Sequence, residues 1–257
     1  MLFSLCNALI ELLHVNSVRI RLDFSLVIAL IMLEWYLVSS FIPIFVSDLS
    51  LINQIIIAIS INGILIVSLL IHEFAHYIVA SLVGIKIQQT ILFIYGGSYE
   101  TSINEENKQN SFDNFKIAIA GPVASITLAI LFAIAWFLEF QEVSPKEVFL
   151  VKQAMSTVLV YASIGNGLLA LVNIIPLFPL DGAKIVNFLN RKRVPAHSQL
   201  PQLKIAKICF GAFVGAGIYF LFFSNFYIGV LLLFLVWNLW SGIRGYDTTN
   251  SNFKNLH

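Results

Sequence analysis

Six long apolar runs constrain this chain more than any other feature. They fall at about 24–46, 52–83, 115–138, 155–175, 205–223 and 226–243, and crossing the hydrocarbon of a bilayer takes roughly 20 predominantly apolar residues. Charged residues make up 11% of the chain and hydrophobic residues 58%. A soluble domain carries roughly 25% charged residues, so this chain has too little charge to cover a globular surface. The expected fold class is an all-α polytopic membrane protein of about six transmembrane helices with a small membrane-associated β-sheet. Residues 1–243 read as one domain and 244–257 as a short cytoplasmic tail.

The sheet is predicted from two segments. Ser17-Val-Arg-Ile-Arg-Leu22 alternates apolar with polar residues, and Ile85 to Glu100 is rich in β-branched and aromatic residues and turns at Gly96-Gly97. Gly84 is a helix-stop signal closing the second span. Met1 to Leu13 reads as an amphipathic helix on the membrane surface, because it lacks the basic n-region and small-residue cleavage site of a signal peptide. Ser102 to Asn114 is a polar loop, and the loop from Gly182 to Lys204 is basic around Arg191-Lys192-Arg193. Cys6 and Cys209 are too far apart in sequence to suggest metal-ligand or redox spacing.

Orientation follows from the basic residues, which concentrate on the cytoplasmic side of a membrane protein. With six spans, all 15 Lys and Arg residues except Lys146 and Lys152 fall on the side that holds both termini. Termini, strands and basic loop are therefore expected in the cytoplasm.

The second span contains Leu69-Leu-Ile-His-Glu-Phe-Ala-His-Tyr-Ile78. Residues four apart share a helix face, so His72 and His76 present their rings to one point. That spacing suits two ligands of one zinc ion, with Glu73 beside them as general base for a bound water. A polar helix-packing cluster would account for the histidines but not for the glutamate between them. A charged side chain at the centre of a membrane helix costs roughly 2.5–3.5 kcal/mol on the translocon scale, so these groups call for coordinated or paired partners.

A third ligand is sought at the end of the fourth span, in Asn173-Ile-Ile-Pro-Leu-Phe-Pro-Leu-Asp-Gly182. Pro176 and Pro179 break the helix, and non-helical backbone at membrane depth survives only in a protein-lined or water-filled pocket. Asp181 reads either as a metal ligand in that pocket or as the N-cap of a short helix at 182–190. Asn173 reads as an amide bridging two membrane helices. Glu34, in the first span, reads either as lining a substrate gate or, preferably, as a protonated carboxyl bonded to a neighbouring helix.

The helix-borne His72-Glu73-x-x-His76, followed about a hundred residues later by Asn173-x-x-Pro176-x-x-Pro179-x-Asp181-Gly182, resembles the site-2 protease family of intramembrane zinc metalloproteases. Gly96-Gly97, Ala120-Gly121-Pro122 and the entry Arg19-Ile-Arg-Leu-Asp-Phe24 match as well. The resemblance implies Zn2+ held by His72, His76 and Asp181, Glu73 as the base, and Asn173 holding the substrate or the oxyanion. It further implies that Gly96 and Gly97 bind an unwound substrate segment along a sheet edge. The likeness is to the six-span, sporulation-protease-like branch, without PDZ or CBS domains. The departures are Ala183-Lys184 where Gly-Arg is common, and Tyr95 where an apolar residue or proline is often found.

The expected function is zinc-dependent cleavage of a transmembrane segment in a membrane-protein substrate, within the lipid bilayer of a prokaryotic cell and under a membrane regulatory partner. The alternative is a non-catalytic metal-binding membrane protein, a transporter or scaffold, which leaves Glu73 without a role. A metalloprotease with glutamate as its third ligand is disfavoured, because every glutamate after His76 falls in a loop or at a span end. Neither a nucleic-acid partner nor a nucleotide is expected: net charge is +1 and no basic stripe is interleaved with aromatics.

Overall fold

The computed structural model describes residues 9–15, 18–45, 49–85, 87–93, 96–101, 111–140, 149–176, 180–190 and 200–254. Two strands, β1 (Leu9–Val15) and β2 (Val18–Asp23), lead into helix α1 (Phe24–Tyr36). A long helix α2 (Leu51–Leu82) follows, then β3 (Ile87–Phe93) and β4 (Gly96–Thr101). Helices α3 (Ser111–Phe140), α4 (Phe149–Ile174), α5 (Asp181–Asn190), α6 (Leu200–Phe223) and α7 (Phe226–Lys254) complete the described chain. Pro179, Tyr95, Cys6, Lys146 and the basic cluster Arg191–Arg193 lie outside the described residues.

Among the described residues, four helical segments are long and apolar enough to cross a membrane: Phe24–Ile44, Leu51–Leu82, Phe112–Glu139 and Val151–Ile174. Their bounds lie within a few residues of the first four apolar runs. The apolar parts of α6 and α7, Ile208–Phe223 and Phe226–Trp240, are shorter. The chain is an integral, multi-pass membrane protein, and its outward-facing leucines, isoleucines and phenylalanines are solvated by lipid. On α2, Ile71 and Phe74 are 41% and 57% exposed while His72, between them in sequence, is fully buried. Apolar residues face lipid and the polar motif faces protein.

α1 continues through a π-helical turn, Leu37–Phe41, into a last turn at Ile42–Phe45 that contains Pro43. Proline has no N–H to offer the carbonyl four residues back and its ring crowds that carbonyl, and a widened turn relieves the conflict. α2 starts at Ser50, whose hydroxyl accepts from the Asn53 N–H at 3.4 Å. It stops in a Schellman motif: Gly84 has φ +80°, its N–H bonds to Ser81 O, and the Ile85 N–H bonds to Ala80 O. Ile85 then packs on Ala80 and Ile117. Gly84 is thus the helix stop expected from sequence.

The helices are also joined by polar bonds in the apolar interior. Asn62 on α2 donates to Glu34 Oε2 on α1 at 2.7 Å, so the Glu34 carboxyl is bonded to a neighbouring helix. Asn166 on α4 donates to Ser68 on α2 at 3.0 Å, and Ser163 on α4 donates to Ala129 O on α3 at 2.9 Å. Such interhelical bonds are individually worth only about 0.6 kcal/mol, so close packing carries most of the association. At Gly165 the two helices come close: a Cβ there would lie 2.4 Å from a methyl of Leu65, which would have to turn aside.

The strands form one sheet in the order β1-β2-β3-β4, with β1/β2 and β3/β4 antiparallel and β2/β3 parallel. Leu92 of β3 is fully buried against Leu26 and Leu69 and fastens the sheet to α1 and α2. Two sequence expectations are corrected here. Residues 9–13, the described part of the segment assigned above to a surface helix, belong to strand β1; pairing with β2 from Leu9↔Asp23 to Val15↔Val18 satisfies backbone that a helix would have satisfied internally. Gly96 and Gly97 are not the turn but the first residues of β4, opposite Phe93 and Leu92.

The close contact at Gly165 yields a prediction. Gly165→Leu should force α4 away from α2 at a cost of about 1–3 kcal/mol, read as a lower Tm in detergent; an unchanged Tm would mean that the two helices do not touch there.

Candidate metal centre

The site is assembled by three helices. α2 supplies His72, Glu73 and His76 from its buried face. α5 supplies Asp181 as its first residue, delivered by the break in the chain after α4. α3 backs the site with Ile117, Gly121 and Ser125, spaced four apart and so on one helix face.

The two imidazole Nε2 atoms lie 3.2 Å apart. Asp181 Oδ2 lies 3.4 Å from His72 Nε2 and 3.0 Å from His76 Nε2. A tetrahedral zinc site with ligand bonds of 2.0–2.1 Å has its donor atoms ~3.3 Å apart, so these three atoms are spaced as three corners of such a site. Glu73 stands at its edge: Oε1 is 3.9 Å from His72 Nε2, and neither carboxylate oxygen has a hydrogen-bond partner among the described residues although both are buried. His72, Glu73 and His76 offer ligand atoms within 4.8 Å of one another. An N2O donor set with one further carboxylate alongside matches the chemistry of zinc, and the geometry passes that test.

Backbone proximity makes the arrangement possible. A Cβ on Gly121 would lie 2.2 Å from His76 Nε2 and 2.5 Å from His72 Nε2, so only glycine leaves room for both rings. A Cβ on Gly182 would lie 2.2 Å from the Ile174 carbonyl oxygen and 2.3 Å from that of Ile175. α5 therefore starts against the end of α4, and the Asp181-Gly182 pair is explained at once: the glycine permits the approach that brings the aspartate in. Lys184, one turn along α5, lies 3.9 Å from Asp181 Oδ1.

Of the residues singled out in the sequence, His72, Glu73, His76 and Asp181 come together. Asn173 is buried at the end of α4, where its amide donates to Leu169 O of its own helix at 2.9 Å. It sits next to Ile174, whose carbonyl abuts Gly182. Gly96 and Gly97 lie in β4, at one edge of the sheet, and β4 touches α2. The sequence did not flag Ser125, whose Oγ is 2.9 Å from His72 Nδ1, nor the Ile117 carbonyl, 2.6 Å from His76 Nδ1. A serine in an apolar run is a weak signal, and a carbonyl leaves none.

Residues 61–149 match the profile of peptidase family M50. Stage IV sporulation protein FB of Bacillus subtilis is 27% identical over 180 residues, 70% of this chain and 57% of that protein. Zinc metalloprotease MJ0392 of Methanocaldococcus jannaschii is 28% identical over 158 residues, 62% of this chain and 41% of that one. The chain spans between 28% and 57% of the length of the curated relatives it matches. A solved structure, the site-2 protease from Methanocaldococcus jannaschii, shares the fold with a TM-score of 0.56 at 22% identity, over 93% of this chain and 94% of that one. The matched segment around the His-Glu-x-x-His helix is similar to peptidase family M50, and the fold is shared with the archaeal site-2 protease.

Proposed function

We propose that this chain is a zinc-dependent intramembrane endopeptidase that cleaves a transmembrane segment of a membrane-protein substrate. One observation carries the reading: three metal-ligand atoms at tetrahedral spacing, with the unpartnered Glu73 carboxylate beside them, on helices otherwise built to face lipid. A structural zinc site is usually closed by four protein ligands, whereas a catalytic one keeps a position open. His72, His76 and Asp181 are the three ligands in this reading, and Glu73 stands at the open position.

When bound, zinc supplies Lewis acidity that acidifies a water and polarises a peptide carbonyl. Glu73 takes the proton of the attacking water and returns it to the leaving amine. An amide nitrogen carries two hydrogens; Leu169 O takes one from Asn173, and the other is directed to the substrate carbonyl as charge develops there. The end of α4 at Ile174 lets the polar part of the site lie at membrane depth.

A peptide bond can be attacked only where the substrate helix is unwound. The open edge of β4, beginning at Gly96 and Gly97, is the place for such an extended segment to add as a strand. In the full reading α6 and α7 cross as fifth and sixth spans, the termini and the site face the cytoplasm of a prokaryotic cell, and 1–243 act as one domain under a membrane regulatory partner.

Two variants test the chemistry. Glu73→Gln should keep its zinc and lose cleavage of a single-span test substrate by about 10²–10⁴-fold; full activity in that variant rules out the mechanism. Asp181→Asn should bind zinc more weakly, measured by metal content after dialysis against a chelator; an unchanged content would return Asp181 to capping α5.

A further inference from the structure

The two histidines are backed by different kinds of group. His76 Nδ1 faces the Ile117 carbonyl oxygen at 2.6 Å. A carbonyl only accepts, so neutral His76 keeps its ring proton on Nδ1 and turns the Nε2 lone pair into the site. His72 Nδ1 faces the Ser125 hydroxyl at 2.9 Å, and a hydroxyl can donate or accept. The direction of that bond decides whether His72 is a ligand.

Two acceptors compete for the His72 proton from the other side. His76 Nε2 lies 3.2 Å and Asp181 Oδ2 3.4 Å from His72 Nε2. A proton drawn there occupies the lone pair that a metal needs. The opposite tautomer requires an acceptor behind Nδ1, at a place closed to solvent: His72 and Ser125 are both fully buried. Among the described residues Ser125 Oγ is the hydrogen-bond partner of His72 Nδ1.

We infer that Ser125 is a positioning residue for metal binding: its hydroxyl accepts the His72 Nδ1–H and thereby frees Nε2 to act as a ligand. α3 then presents a three-point template on one face. The Ile117 carbonyl fixes His76, Gly121 leaves space for both rings, and Ser125 fixes His72. Partners behind a ligating histidine set its tautomer and orientation in this way, and their loss costs about 10–100-fold in metal affinity. The inference rests on reading His72, His76 and Asp181 as a zinc site.

The test is zinc affinity of the metal-stripped, full-length protein by competition with a chromophoric chelator, together with the Tm of each metal-free form. Ser125→Ala should bind zinc about 10–100-fold more weakly than the wild type, with an unchanged metal-free Tm. Ser125→Thr, which keeps a hydroxyl on the same carbon, should restore most of the affinity. Wild-type affinity in Ser125→Ala overturns the inference, and so does an equal loss in both variants, which would make packing rather than the hydroxyl responsible. A wild-type protein that binds no zinc would instead overturn the zinc reading beneath it.

Discussion

Two imidazole nitrogens and one carboxylate oxygen converge to within 3.0–3.4 Å of one another in the interior of a bundle whose surface is apolar. Nothing about apolar helices favours that convergence. Ionisable groups removed from water are costly unless they are paired or coordinated, and here each is supplied by a segment held in place by other means. α2 brings its polar face inward because its remaining faces are apolar enough for lipid. α5 brings Asp181 because the chain is broken after α4 and Gly182 lets the new helix start against the carbonyls of Ile174 and Ile175. α3 holds the rings from behind.

Close approach at glycine sets the geometry at these contacts, to side chains at Gly121 and Gly165 and to backbone at Gly182. A Cβ at Gly121, Gly165 or Gly182 would fall within 2.5 Å of an imidazole, a leucine methyl or a carbonyl respectively. Small residues let membrane helices come close where the hydrophobic effect no longer drives them together. At Gly121 the approach leaves room for the two rings, and at Gly182 it delivers the third donor. The structural rule for packing helices in lipid has thus been put to use in building a site.

Much of this was legible in the sequence because it rests on short-range regularities. The four longest spans follow from unbroken apolar runs, the end of α2 from Gly84, and the shared face of His72 and His76 from four-residue spacing. What was misread depended on partners distant in sequence. Leu9–Val15 has an apolar density that suits a surface helix or a strand, and its pairing with β2 decides the matter. Gly96-Gly97 looked like a turn by composition, yet its pairing with Phe93 and Leu92 places it inside β4. Asp181 is ambiguous in sequence between cap and ligand because the sequence does not state that α5 packs against α3 and α4 and so sets Asp181 beside His72 and His76. Ser125 was overlooked since its role exists only once α3 lies behind His72.

If His72, His76 and Asp181 hold one catalytic zinc ion, X-ray absorption at the zinc edge of the purified chain will show their donor atoms around it. The expected result is one zinc per chain with two imidazole nitrogens and the remaining donors oxygen, at about 2.0–2.2 Å. A chain that retains no zinc, or a zinc environment without imidazole, would contradict the claim.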